Sequence, residues 1–169
     1  MRKKIVFIFL TFLTILAGCK KEDFNYENEF EKSFSTWENF KARTGNSYTY
    51  VVHSSSWIGL SWQTEITVSN GEVSQRSYKL LSNQVLNNIP ESEKEWVESK
   101  SEINSHRTGA APLTFDQIYE KARTEWLVKR ENATTYFEAE NNGLISKCGY
   151  VDDGCQDDCF IGIQISSIK

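Results

Sequence analysis

The run Cys148-Gly149-Tyr150-Val151-Asp152-Asp153-Gly154-Cys155-Gln156-Asp157-Asp158-Cys159 gathers three cysteines and four aspartates in one short segment. Thiols this close can oxidise to a bridge or grip a metal. Zinc is not expected, because the spacing fits no zinc pattern and only His53 and His106 could join the thiols. Without a Cys-x-x-Cys pair, a low-pKa redox thiol is not expected either. A structural disulfide is. If segments 144–150 and 159–168 pair as a hairpin, Cys148 falls roughly opposite Cys159 at a bridging separation, with Cys155 the alternative partner. Asp152, Asp153, Asp157 and Asp158 offer a weak calcium possibility, since that ion takes six to eight oxygens. Their order is not that of an EF-hand, and a solvated acidic turn is the plainer expectation. No metal and no cofactor are expected.

A second candidate is the loop Ser54 to Trp62. Trp57, Ile58, Leu60 and Trp62 are unusual there, and exposed rings could stack on a glycan or fill a protein partner's pocket. His53 lies beside Ser54, Ser55 and Ser56, but no Gly-x-Ser-x-Gly elbow is present. Neighbours in a strand point to opposite faces, so His53 and Ser54 should not meet. His106 sits in a polar connection. An enzyme is therefore not expected. An envelope hydrolase or transferase using His53 or His106 with a carboxylate is the alternative.

The remaining chemistry is at the amino end. Arg2, Lys3 and Lys4 precede an apolar run from Ile5 to Leu16, which as a helix reaches about 18 Å, short of the roughly 30 Å hydrocarbon core. This is an export signal rather than a spanning helix. Leu16-Ala17-Gly18-Cys19 follows and resembles a bacterial lipobox at all four positions. The resemblance implies cleavage before Cys19, a diacylglyceryl thioether on its sulfur and an acyl chain such as palmitate on its amino group. Two or three chains hold a protein stably, at about 0.8 kcal/mol per buried methylene. Lys20 disfavours inner-membrane retention, and Lys20-Lys21-Glu22-Asp23 is similar to a surface-export tag. The expected address is thus the outer membrane, on its surface or its periplasmic face.

Loss of residues 1–18 takes the formal charge from −4 to −7, which disfavours nucleic acid and anionic lipid as partners. Residues 19–30 are polar enough for a flexible tether, leaving 31–169 as one domain.

Two helices should organise that domain. Ser35-Thr36-Trp37-Glu38 fits a capping box ahead of Phe34, Trp37 and Phe40, with Gly45 as the stop. Thr114 and Gln117 form another box, stapled by Leu113 and Ile118, before Phe115, Ile118, Tyr119, Ala122 and Trp126. Strand alternation marks Tyr48–Val52 and Trp62–Val68. Asn70-Gly71 then turns the chain into Val73–Leu81. The pattern recurs at 134–140, Asn142-Gly143, 144–150 and 160–168, where Ile161, Ile163 and Ile165 share a face. Ser92–Ile103, with Trp96, reads as a short helix. The expected fold is α+β, an antiparallel sheet of five to six strands against two main helices. A cystatin-like helix wrapped by a sheet is the alternative.

Trp37, Ser47-Tyr48-Thr49-Tyr50, Val68-Ser69-Asn70-Gly71-Glu72-Val73, Thr114-Phe115-Asp116 and Gly143-Leu144 make residues 34–169 similar to a family of short bacterial lipoproteins of unknown function. The resemblance implies a compact exported domain and brings no catalytic residue. The expected role is a non-catalytic binding or accessory module in the cell envelope. Inhibition of an envelope or host enzyme is a further alternative, resting on fold analogy.

Overall fold

The chain enters the fold earlier than its composition suggests. Phe24 is already buried, bridges Val128, and is followed by a hydrogen bond from Asn25 N to Leu127 O of 2.8 Å. The computed structural model describes residues 24–81 and 89–169; the signal segment, Cys19 and Lys20–Asp23 lie outside it. The expected tether is therefore shorter than 19–30, because Phe24 and Phe30 are core residues.

Helix α1 runs Glu27–Thr44, so Ser35 begins no helix. Phe30, Phe34 and Trp37 carry the apolar stripe back through two turns, and Thr36 Oγ1 donates within the helix to Lys32 O at 3.1 Å. Packing of that stripe outweighs the local capping signal. Gly45 stops the helix as expected, with φ of 61° and its amide on Lys41 O.

Three strands follow as a meander: β1 Tyr48–Ser55, β2 Ser61–Ser69 and β3 Glu72–Leu80. Asn70 and Gly71 take φ values of 52° and 84°, the paired positive angles that a two-residue hairpin turn requires. The segment expected to be a short helix holds a strand between two helical turns. One turn, α2 Glu91–Lys94, leads into β4 Glu95–Ser99, whose Trp96 and Glu98 are buried while Val97 is exposed. Helix α3, Phe115–Lys121, opens with the Thr114–Gln117 capping box and continues as a wider π turn over Ala122–Trp126. Strands β5 Ala133–Glu138, β6 Lys147–Asp152 and β7 Ile161–Ile168 complete the chain.

All seven strands form one antiparallel sheet in the order β4-β3-β2-β1-β7-β6-β5. The architecture is α+β, with one strand more than the expected upper bound because β4 was read as helix. Pairing of β1 with β7 joins the two halves of the chain, Tyr50 opposite Ile168 and Val52 opposite Ile165.

The core is an aromatic layer between the helices and β1. The Trp37 ring lies 5.2 Å from those of Tyr48 and Phe115. The polar tips in this layer have partners: Trp37 Nε1 donates to Asp116 Oδ1 at 2.8 Å, Tyr50 OH to Leu113 O at 2.5 Å, and Tyr119 OH to Ser33 O at 3.0 Å. Tyr48 OH accepts the Phe115 amide at 2.7 Å. Burial pushes the Tyr48 and Tyr119 phenols up to about 12. They stay neutral at any ordinary pH. Among the described residues no helix is long and apolar enough to cross a membrane.

The β6–β7 contact is unusually close. Gly149 pairs with Gly162, and a Cβ built on Gly162 would lie 2.1 Å from Cys148 O and 2.5 Å from Gly149 Cα. Both obstacles are backbone, so nothing flexible can yield. Gly162→Ala should cost roughly 3 kcal/mol or more in urea unfolding, against about 1 kcal/mol for Gly45→Ala, where only the positive φ is strained. Equal costs would contradict the close approach.

Candidate binding site

Two places bring polar chemistry together. The first is a cleft of about 620 Å³ on the helix-facing side of the sheet, where β1 ends and β2 and β7 begin. Its floor is Val52 and Ile163, its helix-side wall Leu113 and Trp126, and its rim includes Trp62 and Phe160. Volume and lining suit a small ligand or a partner's side chain. Strand pairing dictates the cleft's position. Ser54 and Trp62 are cross-strand partners on β1 and β2, while β1–β7 pairing sets the start of β7 beside them. The Lys121 ammonium sits 5.6 Å from the centre of the Trp126 ring and also pairs with Glu125. His53 and Ser55 contribute at the mouth, and His53 lies opposite Gln63.

The loop singled out in the sequence is a tight hairpin at this cleft. Ser56 N donates to Leu60 O at 2.8 Å and Gly59 N to Ser56 O at 3.0 Å. Trp57 is 72 % exposed and Ile58 50 %, whereas Leu60 and Trp62 are half-buried. The Trp57 amide donates to Asp158 Oδ1 at 3.0 Å, which ties this hairpin to the β6–β7 loop. Sequence reasoning picked both loops and gave no sign that they touch.

The cysteines pair otherwise than expected. Cys155 bonds Cys159, with their Cα atoms 6.1 Å apart, and Cys148 is a buried free thiol. The expected Cys148–Cys159 bridge, and its Cys148–Cys155 alternative, assumed Cys148 near the open end of the hairpin. In the actual register Cys148 faces Ile163, deep in the sheet. Burial pushes its thiol well above the ordinary range. Asp152, Asp153 and Asp157 are exposed and Asp158 is taken by Trp57. Among the described residues no three such side chains gather to hold a metal, so the calcium possibility has no ligand set.

The second place is a buried ion pair that the sequence did not announce. Arg76 on β3 and Glu98 on β4 are cross-strand partners, 2 % and 1 % exposed, joined in a two-pronged contact of 2.9 and 3.0 Å. Residues 104–110 wrap the pair. Glu98 accepts the Asn104 and His106 amides, both at 2.6 Å, and Arg76 donates to the carbonyls of His106 and Ala110. The guanidinium also lies 4.7 Å from the centre of the Trp96 ring, against which His106 stacks at 4.3 Å. Burial alone would raise the Glu98 carboxyl, but the backbone amides and Arg76 together hold it at about 2.

His106 Nδ1 is 3.0 Å from Glu98 Oε1, the histidine–carboxylate contact a hydrolase would need. Yet that carboxylate is committed to Arg76 and two amides. The hydroxyl beside the ring, Ser105 Oγ, meets the same Nδ1 at 3.4 Å and the same Glu98 oxygen at 3.1 Å. The arrangement fastens a loop and poises no nucleophile.

Comparison with protein-family models, with curated proteins and with solved structures finds no match to this chain.

Removing the Glu98 charge should leave Arg76 buried and unpaired. Glu98→Gln is expected to lose about 3–5 kcal/mol in denaturant unfolding at pH 7. The folded pKa is depressed, so its stabilisation is present above the ordinary carboxylate value of 4.5 and lost as pH falls toward about 2. The fall in stability over that window should be smaller in the variant. Thiol labelling gives a second check: the native protein's Cys148 should be unreactive and become reactive on denaturation. A peptide map should show Cys155 linked to Cys159.

Proposed function

We propose that the mature chain is a lipid-anchored lipoprotein of the bacterial cell envelope, held at the outer membrane through Cys19 and acting there as a non-catalytic binding module. Support for the anchor is the Leu16-Ala17-Gly18-Cys19 match behind an apolar run too short to span. Support for binding is the cleft, whose aromatic rim of Trp62 and Phe160 stands beside the projecting Trp57. Rings of this kind present apolar faces to a glycan or a protein side chain, and Gln164, Ser54 and Lys121 supply mixed donors and acceptors around them. A hydrolase or transferase built on His106 is favoured by one observation, its contact with Glu98, and opposed by the commitment of that carboxylate.

Cys19→Ser should leave the product unprocessed or soluble, and a signal peptidase II inhibitor should make wild-type precursor accumulate. Normal maturation of the variant into the membrane rejects the anchor. For the cleft, crosslinking in intact envelopes should recover a glycan or protein on the wild type that Trp62→Ala recovers at a tenth or less, equivalent to about 1.4 kcal/mol. Equal recovery rejects the site.

A further inference from the structure

The sheet parts along one line. β1 and β7 pair only as far as Val52–Ile165, and beyond that rung β7 runs beside β6 alone, from Gln164 opposite Lys147 to Ile161 opposite Tyr150. His53, Ser54 and Ser55 likewise have β2 on one side and, among the described residues, no strand on the other. The cleft of about 620 Å³ occupies the space between. Val52 and Ile163 line it from the helix-facing side, and so do their neighbours His53 and Gln164, whose side chains point to the opposite face. The cleft therefore passes between the strands. Farther out, the Trp57–Asp158 hydrogen bond joins the hairpin to the 153–160 loop and brackets the gap.

The main chain of both strands is turned into this gap. Successive residues of an antiparallel strand bond alternately to one neighbour and to the other. Ser56 N bonds Leu60 O at 2.8 Å, and Ser61, the partner of Ser55, gives its carbonyl to Leu81 N at 2.8 Å. Ser55 thus directs its N–H and C=O away from β2. On β7, Ile165 N bonds Ser146 O at 2.7 Å and Ile165 O accepts from Asn141 Nδ2 at 2.9 Å, both on the β6 side. By the same alternation Ile163 faces β6 and Gly162 faces β1. Extending the Val52–Ile165 register sets Ser55 opposite Gly162, yet among the described residues no rung joins them.

We propose that the occupant of the cleft is an extended segment of a partner protein, which adds a strand between β1 and β7. This choice rests on the reading of the cleft as a binding site and narrows its ligand from glycan or protein to polypeptide. An unpaired strand edge offers N–H and C=O groups in alternation, and a second extended main chain matches them rung for rung. A glycan carries no such alternation. Size agrees: four extended residues occupy roughly 13 by 4.8 by 10 Å, or about 600 Å³, against the cleft's 620 Å³. The two faces of the gap then set the segment's sequence. Side chains turned toward the helices meet Val52, Leu113, Trp126 and Ile163 and must be apolar, while those turned outward meet His53 and Gln164 and can be polar. Because β1 and β7 run in opposite directions, the added strand is antiparallel to one and parallel to the other.

The test uses the full-length chain in detergent, with a displayed library of random linear peptides as the probe. In the free protein the Ser55 and Gly162 amides should exchange rapidly with deuterium, while those of Ser54 and Ile163, turned to β2 and β6, exchange slowly. Selected peptides should alternate apolar and polar residues, lose about tenfold in affinity with Trp62→Ala, and slow exchange at Ser55 and Gly162. Ser55→Pro removes a gap-facing N–H and should weaken the peptides about tenfold, whereas Ser55→Ala should not. The exchange measurement decides even where the proline variant fails to fold. Slow exchange at both amides in the free protein, a library without such a binder, or a bound peptide that leaves both amides unprotected overturns the added strand. A soluble peptidoglycan fragment that binds where no peptide does, and is weakened by Trp62→Ala, leaves the binding cleft standing and rejects the polypeptide. A cleft that takes neither probe rejects the strand and the binding site together.

Discussion

The fold depends on an aromatic layer that must be dry and still keep its polar tips partnered. Trp37, Tyr48, Tyr50 and Tyr119 each bring an N–H or O–H into the interior, where an unmade hydrogen bond costs about 1–3 kcal/mol. Each tip finds a partner on another element: Asp116 and Phe115 at the start of α3, Leu113 before it, Ser33 on α1. These bonds therefore specify where α1, α3 and β1 sit relative to one another. Apolar packing alone would tolerate several arrangements; few of them would satisfy all four tips. Lys41 adds a two-pronged contact to Asp116 at 2.9 and 2.8 Å, half-exposed and so worth less than the interior bonds.

What could be read from the residues was local. The alternation of Tyr48, Tyr50 and Val52, the Asn70-Gly71 turn, the Thr114–Gln117 cap and the Gly45 stop each depend on neighbours within four positions, and each has its counterpart in the structure. The failures were long-range. Ser35-Thr36-Trp37-Glu38 has the composition of a helix start, but Phe30 and Phe34 pack edge-to-face against Tyr119 and draw the helix back past it. β4 was missed because Glu98 points inward, and an inward glutamate makes sense only with Arg76 opposite, 22 residues earlier. The cysteine pairing failed on register: placing Cys148 a few rungs deeper leaves it no thiol to reach. For the candidate site, the sequence flagged both loops by their unusual content. Their contact, and the cleft between them, exist only through β1–β7 pairing.

The two polar sites differ in what they can do. Arg76 and Glu98 use nearly all their hydrogen-bonding capacity on each other and on residues 104–110, so they hold a loop over the strands. The cleft leaves mixed polar groups at its rim and rings at its walls, with capacity to spare for a ligand.

The pairing of β1 with β7 also bears on how the protein is made. These strands are separated by more than a hundred residues, so the central rungs of the sheet cannot form until β7 has left the ribosome. Until then β1 has one neighbour, the interior is half-covered, and the nascent polypeptide stays open. Closure of the sheet therefore waits for β7, which takes its place between β1 and β6 only after every other strand has been made.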